Sequence, residues 1–537
     1  MDFEWVAIAL SDVGWISLAF LLGFLAQRID LPPLVGYLVT GFVLNYMGFT
    51  GGEMLQKLSD LGITLLLFAV GLKLNLQVMA RPQVWLVTVA HITVVVLLFG
   101  AVIFGLSLIG APLFSGLDFK VFLLLAFALS FSSTVFAVKA LEGKAQITSL
   151  HGRIAIGILV MQDLVAVIFL AVSLGKLPSP WAFLIILLFP LRPLLHYILN
   201  KTGHGELMIL YGLVLALGGA ELFELVGVKD DLGALFMGLL ISTYPKTKEL
   251  AKSMLGFKNL FLVGFFLSVG LSGQLSIEAL IIGFFLTPLI LVKAALFFIL
   301  MTRFKLRSRT ALLTAINLNN YSEFGLIVAA ISVANGWLMG EWLVVIAIAL
   351  SFSFVIAAFM AKNEDRIYRE FKIFWMKFQR EERLPDDSLL DTLDSTIAIF
   401  GMGRVGSGAY DKMRELYGET VVGIDFDSEK IKMHQSTGRK VLHGDPGDAD
   451  FWEKIKANHN IKLVMLALPN LEATLEALRQ LQEIAFPGKI AAIIRYPDEE
   501  KMLYQSGATA VFNIYTEAGA GFADHVVAKI GMIAERH

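Results

Sequence analysis

The sequence predicts a polytopic α-helical membrane protein followed by a soluble, doubly wound α/β domain. Three observations carry that reading. Apolar runs long enough to cross a bilayer recur from residue 5 to residue 361, positive charge alternates between successive loops, and beyond residue 390 short β-rich runs alternate with helical stretches. Composition agrees: 56% of the 537 residues are hydrophobic and 17% are charged, with a mean hydropathy of +0.71, which excludes an ordinary soluble protein. No basic tract suggests nucleic acid, and the net charge of -2 says little because orientation is read from where Lys and Arg fall. With no cysteine, the chain has no disulfide framework, thiolate metal site or thiol switch. Redox sensing would have to act through a bound ligand.

Met1 to Trp5 lacks the positive n-region of a cleaved signal peptide and runs into the first span. Spans of about 20 residues are expected at roughly 5–27, 34–48, 58–78, 84–110, 119–141, 152–175, 180–199, 206–227, 231–243, 258–276, 278–301, 310–334 and 337–361, about thirteen in all. Loops after the odd-numbered spans hold Arg28; Lys73 and Arg81; Lys139, Lys144 and Arg153; Lys201; Lys246, Lys248, Lys252 and Lys258; and Arg303, Lys305, Arg307 and Arg309. The intervening loops hold little beyond Lys120, Lys176 and Lys229. The positive-inside rule then places the N-terminus outside and the C-terminal domain in the cytoplasm, which requires an odd number of spans.

Three segments follow: a transmembrane domain over 1–361, an amphipathic linker helix over 362–390 and a soluble domain over 391–537. In the linker Ile367, Phe371, Phe374 and Phe378 recur at helical spacing between charges, so it lies on the membrane face or docks on the soluble domain, unless it is a passive spacer. The soluble domain reads as strands TIAIF, TVVGI, KVLHG, KLVMLA, KIAAII and AVFNI, each followed by a polar or amphipathic stretch.

The first of these strands runs into Gly401-Met402-Gly403-Arg404-Val405-Gly406 and then a helical segment. Gly401 permits the tight turn, Gly403 lets the backbone approach a diphosphate, and Gly406 lets the helix pack on the strand, with the helix N-terminus attracting phosphate. The second strand ends at Asp425, where a carboxylate can accept from ribose hydroxyls. Strand, glycines, helix and acidic strand end together specify a Rossmann-type nucleotide site. An acid at that position argues for adenosine mono- or dinucleotides over the NADP type. No second soluble domain follows in this chain to hold a substrate, so the nucleotide reads as a regulator rather than a redox partner.

An ionisable group in mid-span costs roughly 2.5 to 3.5 kcal/mol on insertion scales. The sixth span contains Gln162-Asp163 with apolar residues for two turns on either side. A carboxylate in hydrocarbon favours its protonated form, whereas a bound cation favours the ionised one. Asp163 can therefore carry a proton or a cation but rarely both, which is the chemistry of antiport, and Gln162 offers a neutral amide oxygen beside it. In the preceding span Ser130, Ser132, Ser133 and Thr134 fall within five residues. They either back-bond to their own helix or mark a locally unwound helix whose carbonyls and hydroxyls coordinate a cation. The twelfth span repeats this polarity at Asn317, Asn319, Asn320, Tyr321, Ser322 and Glu323. Two interrupted spans, one in each half, point to an inverted repeat with its site at the midplane. Glu323 reads as a second titrating group or as a structural partner of a helix end. Lys293, in the middle of the eleventh span, pairs with Asp163 or caps helix dipoles. Asp230-Asp231 mark the interfacial start of the ninth span, and His91 and His196 read as satisfied span histidines. The LVGYL run at Leu34 lacks the flanking residues of a potassium filter.

These residues resemble the Kef-type potassium/proton antiporters of the monovalent cation:proton antiporter-2 family over nearly the whole chain. PLVGYLVTG, LLLFAVGLKL, ALSFSST, MQDLVAV, LGALFMGLLIS, LGFKNLFLVGFFLSVGLS, LILVKAAL and NYSEFGLIV carry the resemblance, followed by GMGRVG, GIDFD and LHGDP of the regulatory RCK, or TrkA-N, domain. The resemblance implies that Asp163 and Gln162 bind potassium, that Ser132, Ser133 and Thr134 form a crossover helix, and that Lys293 and Glu323 are the charged positions of later core helices. It further implies that Arg404 and Asp445 join Gly401, Gly403, Gly406 and Asp425 in binding AMP or NAD(H). A homodimer in a bacterial inner membrane is implied too, its ion-translocating bundles moving against a dimerisation scaffold; no ancillary regulatory protein is specified. Lys73 stands where the family's GLEL pattern has an acid, and the long tail of glutathione-gated members is missing here. Glutathione control is therefore not carried over. A sodium/proton antiporter is the nearest rival, since a carboxylate does not choose its ion. A nucleotide-gated potassium channel is disfavoured by the missing filter, and a membrane oxidoreductase by the missing substrate domain.

Overall fold

The computed structural model describes residues 4–530 apart from 30, 50, 74–80, 111–112, 115–116, 145, 148, 174–178, 180–184, 186–187, 228–229, 245, 272–274, 381, 383–394, 445, 447–450 and 453–459. Most of the start of the expected seventh span, Lys176, Lys229, Asp445 and the end of the expected linker thus lie outside the described residues, as do the side chains of Lys73, Asp231, Lys248 and Lys258. The chain divides into two compact units, residues 1–138 with 154–380, and residues 139–153 with 381–537.

The helices of the membrane part are α1 (Glu4–Arg28), α2 (Pro33–Tyr46), α3 (Glu53–Lys73), α4 (Pro82–Leu108), α5 (Phe119–Ala128), α6 (Thr134–Gly143), α7 (Leu150–Ser173), α8 (Arg192–Lys201), α9 (Glu206–Leu225), α10 (Asp230–Ile241), α11 (Thr247–Leu271), α12 (Ile277–Leu286), α13 (Leu289–Arg303), α14 (Ser308–Asn317), α15 (Glu323–Ala334) and α16 (Gly340–Lys362). Among the described residues six helical stretches are long and apolar enough to cross a membrane, and six shorter apolar helices accompany them. The chain is a multi-pass membrane protein. Three expected spans are not continuous. The fifth parts into α5 and α6, the twelfth into α14 and α15, and the eleventh into α12 and α13 at Pro288, which has no N–H to continue the helix.

Two packing groups emerge. In one, α2 and α3 pack on α11, α3 and α9 on α10, and α1 on α2. Glycines set these distances: a Cβ on Gly41 would lie 2.7 Å from the Cα of Gly270, and one on Gly71 would lie 3.0 Å from the Cα of Gly238, so the helices meet backbone to backbone. In the other, α4, α5 and α12–α16 pack through large side chains, with Phe99, Phe131, Phe324, Trp342 and Phe354 fully buried.

The linker is two short helices, α17 (Glu364–Glu370) and α18 (Lys372–Met376), parted at Phe371. They fold back on the membrane part. Trp375 and Phe378 meet Phe298 of α13 edge-on at 5.2 and 5.6 Å, and Asp365 pairs with Arg309 of α14 at 2.9 Å.

The second unit is built on β1 (Ile397–Phe400), α19 (Arg404–Tyr417), β2 (Val421–Asp425), α20 (Ser428–Ser436), β3 (Val441–His443), β4 (Leu463–Leu466), α21 (Leu471–Glu483), β5 (Lys489–Ile494), α22 (Glu499–Gln505), β6 (Ala510–Asn513) and α23 (Ile514–Ile530). All strand pairs are parallel, in the order β3-β2-β1-β4-β5-β6. Strand order reverses between β1 and β4, and the crevice beyond their carboxyl ends is where such a sheet binds ligands.

Candidate transport site and nucleotide cleft

Residues 129–133 and 318–322, the two helix breaks, are buried throughout and hold each other through main-chain groups. A Cβ on Gly325 would lie 2.3 Å from the carbonyl oxygen of Ala128, so the first turn of α15 crosses directly over the end of α5. The Ser132 hydroxyl donates to the Leu318 carbonyl (2.8 Å), and the Ser133 N–H donates to Asn320 Oδ1 (2.6 Å). Breaking a helix in the membrane frees backbone groups that need partners, and the polar residues of the two motifs supply them.

Asp163 and Gln162 stand in the middle of α7, both buried. Thr134, the first residue of α6, donates from its hydroxyl to Asp163 Oδ2 at 3.0 Å. Gln162 faces the break itself: Oε1 accepts from the Ser132 N–H (3.0 Å) and Nε2 donates to the Ser130 carbonyl (3.4 Å). Its amide oxygen therefore braces the break and keeps a second lone pair.

Lys293 is fully buried, and its ammonium donates to Phe131 O (2.7 Å) and Asn320 O (3.0 Å), one carbonyl from each break. It also lies 5.0 Å from the centre of the Tyr321 ring. Of the two roles open on sequence, these contacts are those of a cap on helix ends, where a cation meets the negative pole of the dipole. Glu323 opens α15, where a carboxylate suits the positive pole; both of its oxygens are buried and have no hydrogen-bond partner among the described residues. The structure thus gathers Gln162, Asp163, Ser132, Ser133, Thr134 and Lys293 at one crossing.

Sequence reasoning left Asn320 without a role and missed Ser353, whose hydroxyl accepts from the Tyr321 N–H at 3.0 Å. Ser353 is one of two serines, with Ser351, in the apolar run of α16, and that pair is the available signal. His91 differs from expectation: its ring stacks on Phe297 at 3.4 Å, and neither ring nitrogen has a hydrogen-bond partner among the described residues. His196 likewise stacks on Tyr244, and its Nε2 has no hydrogen-bond partner among the described residues.

In the second unit Gly401 has φ +86°, and a Cβ there would lie 2.4 Å from the Ala467 carbonyl oxygen. A Cβ on Gly406 would lie 1.9 Å from the Gly401 carbonyl oxygen, whereas one on Gly403 would meet open space. Gly403 and Arg404 face a cleft of about 520 Å³ that Asp425, Lys430 and Arg495 also line. Asp425 is buried and committed: Oδ2 accepts from the Met402 N–H and Oδ1 from the Asp427 N–H, each at 2.9 Å. It shapes the glycine turn. Lys430 and Arg495, not singled out from sequence, follow the carboxyl ends of β2 and β5, where this fold places ligand contacts.

The turn is also held from behind. His434 Nε2 lies 2.8 Å from the Met402 carbonyl oxygen and so carries the proton, while Nδ1 accepts from Arg439 at 3.2 Å. Arg439 forks onto Asp411 with two bonds of 2.7 Å. That hydrogen bonding holds the Asp411 carboxyl below the usual carboxylate range.

Discontinuous helices crossing beside a buried carboxylate, joined in one chain to a nucleotide-binding α/β domain, define a membrane transporter rather than an enzyme. The family described as "Sodium/hydrogen exchanger, transmembrane" matches residues 16–362, and the chain belongs to it. Residues 397–514 match the TrkA-N domain. YbaL of Escherichia coli (strain K12), named for cation/proton antiport, is 28% identical over 93% of this chain and 93% of its own length. The glutathione-regulated potassium-efflux system protein KefC of Cronobacter sakazakii is 26% identical over 92% of this chain and 80% of its own. Among solved structures, the sodium proton antiporter MjNhaP1 of Methanocaldococcus jannaschii shares 13% identity, covers 67% of this chain and 97% of that one, and has a TM-score of 0.46.

Proposed function

We propose that the chain exchanges potassium for protons at Asp163, as a homodimer in a bacterial inner membrane with its N-terminus outside. An adenine nucleotide, AMP or NAD(H), in the cytoplasmic cleft regulates the exchange. The observation that carries the transport reading is Asp163 itself, buried in mid-helix against the Thr134 hydroxyl where two helix breaks cross. A carboxylate there binds a proton or a partly dehydrated cation, and each excludes the other. Gln162, Ser132, Ser133 and Thr134 supply neutral oxygens, Lys293 neutralises carbonyls, and Glu323 is a second acid in the same core. Potassium is favoured by the names of the relatives, sodium by the family's own description. On the cleft side Gly401, Gly403 and Gly406 cradle phosphate, with Arg404 beside them and Asp425 beneath the ribose; Asp445, from the matching motif, completes the set.

The test is proteoliposomes holding an internal pH dye, challenged in turn with potassium, rubidium and sodium. Potassium and rubidium should each move protons, and Asp163→Asn should abolish the movement while the protein still inserts. A response to sodium alone would replace the ion assignment. Wild-type exchange in Asp163→Asn would remove Asp163 from the site.

A further inference from the structure

Resting on the reading of the two breaks as the transport site, we propose that Glu364, the first residue of α17, is a positioning residue for that site and acts through Asn317 and Asn320. A continuous polar chain connects them. Glu364 is buried at 1% exposure, and its Oε2 accepts from Asn317 Nδ2 at 3.4 Å. The Asn317 carbonyl accepts from Asn320 Nδ2 at 3.2 Å, and Asn320 Oδ1 accepts from the Ser133 N–H at 2.6 Å. The chain thus runs from the linker, through the last residue of α14 and across the second break, into the first. Two further contacts fix the same geometry. Arg309 at the start of α14 pairs with Asp365 at 2.9 Å, both side chains largely buried, and Asn319 Nδ2 lies 2.8 Å from Met360 Sδ near the end of α16.

A carboxylate is costly to bury, and hydrogen bonding is what makes such a position tenable. The bland alternative is that Glu364 merely staples the linker to α14. The two differ in what Glu364 controls. A staple affects melting alone, whereas a positioning residue fixes the end of α14, whose Asn317 carbonyl holds Asn320 Nδ2, and hence the placement of Asn320 Oδ1 on the Ser133 N–H. Any displacement of the linker would then reach the site through α14 without passing through lipid-facing surfaces.

The experiment measures cation-driven proton movement against potassium concentration in proteoliposomes of the full chain. Glu364→Ala should raise the half-saturating potassium concentration about five- to tenfold, the effect of losing one buried hydrogen bond, with a smaller change in maximal rate. Glu364→Gln, which keeps an acceptor for Asn317, should stay within about twofold of wild type. Asn317→Leu should match Glu364→Ala, and the double variant should be no worse than either single. Wild-type affinity in Glu364→Ala, equal damage from Glu364→Gln, or additive effects would each overturn the proposal. Hydrogen exchange of residues 318–322 without added cation gives a second readout: faster in Glu364→Ala, unchanged in Glu364→Gln. That readout still decides the relay if Asp163→Asn shows that transport occurs elsewhere, and Asn317→Leu carries it if Glu364→Ala is not recovered folded.

Discussion

Replacing Lys293 by Ala should damage stability more than transport. The ammonium makes two charge-assisted hydrogen bonds to main-chain carbonyls, at 2.7 and 3.0 Å. Bonds to charged groups contribute about 1.5 to 3 kcal/mol each, and hydrogen bonds inside membranes measure at the low end of expectation. The pair therefore sums to about 3 kcal/mol. To this is added a residual cost, because Phe131 O and Asn320 O would remain buried after the donor is gone. A loss of that size lowers the melting temperature by on the order of 5 °C or more. Differential scanning fluorimetry in detergent reads it directly. Transport should continue at reduced rate, because Lys293 is engaged with carbonyls and Asp163 keeps its Thr134 partner. Lys293→Gln, with two donors on one nitrogen, should fall between Ala and wild type. The reasoning fails if Lys293→Ala melts like wild type yet moves no protons, for the lysine would then belong to the exchange chemistry rather than to the crossing.

Gly403→Asp should leave the unliganded melting temperature unchanged, since its Cβ enters open space, yet abolish stabilisation by AMP, ADP, ATP, NAD and NADH; a retained shift would mean that phosphate does not sit on this turn. Gly406→Ala, by contrast, should destabilise the unliganded protein through its clash with the Gly401 carbonyl, and a wild-type melt would refute that packing. His434→Gln, which can still donate to Met402 O, should bind ADP within about twofold of wild type, whereas His434→Phe should weaken it about fivefold or more in calorimetry; equal affinities would show that the turn holds itself. The Asp411 carboxyl is depressed by Arg439, so its contribution is present above the ordinary carboxylate value near 4 and disappears as pH falls through the lower folded value. Asp411→Asn should therefore lower the melting temperature slightly at pH 6 and by less at pH 3, and a difference that grows on acidification would reverse the assignment.

Legibility in the sequence followed the strength of the local signal. A carboxylate alone in a span, as at Asp163, and four hydroxyl residues in five, as at Ser130 to Thr134, have few apolar explanations, and both mark the crossing. The glycine turn was equally plain because each glycine has its own steric reason. Partner choice was not legible. Lys293 can reach a carboxylate or a carbonyl from the same position in sequence, and only the register between α13 and the two breaks distinguishes them. The end of α12 before Pro288 was hidden inside an unbroken apolar run, since hydropathy does not register one missing N–H. The shared period of Ile367, Phe371, Phe374 and Phe378 predicts one amphipathic helix, yet the chain parts at Phe371 and turns Trp375 toward Phe298. The position of Asp425 at a strand end predicts a ribose contact, but its commitment to the Met402 and Asp427 N–H groups is a feature of loop shape that spacing does not encode.

The glycine contacts between α2 and α11 and between α3 and α10 carry a mechanical consequence. Where backbones touch at the position of a missing Cβ, there are few side-chain rotamers to rearrange and little slack to absorb a shift. That group of helices is stiff. The group around α5, α14, α15 and α16 is instead knit by large aromatic side chains and interrupted by two breaks, where small changes in backbone angle are amplified along short helical arms. Compliance is therefore distributed unevenly across the membrane unit, with a rigid wall on one side and a jointed bundle on the other.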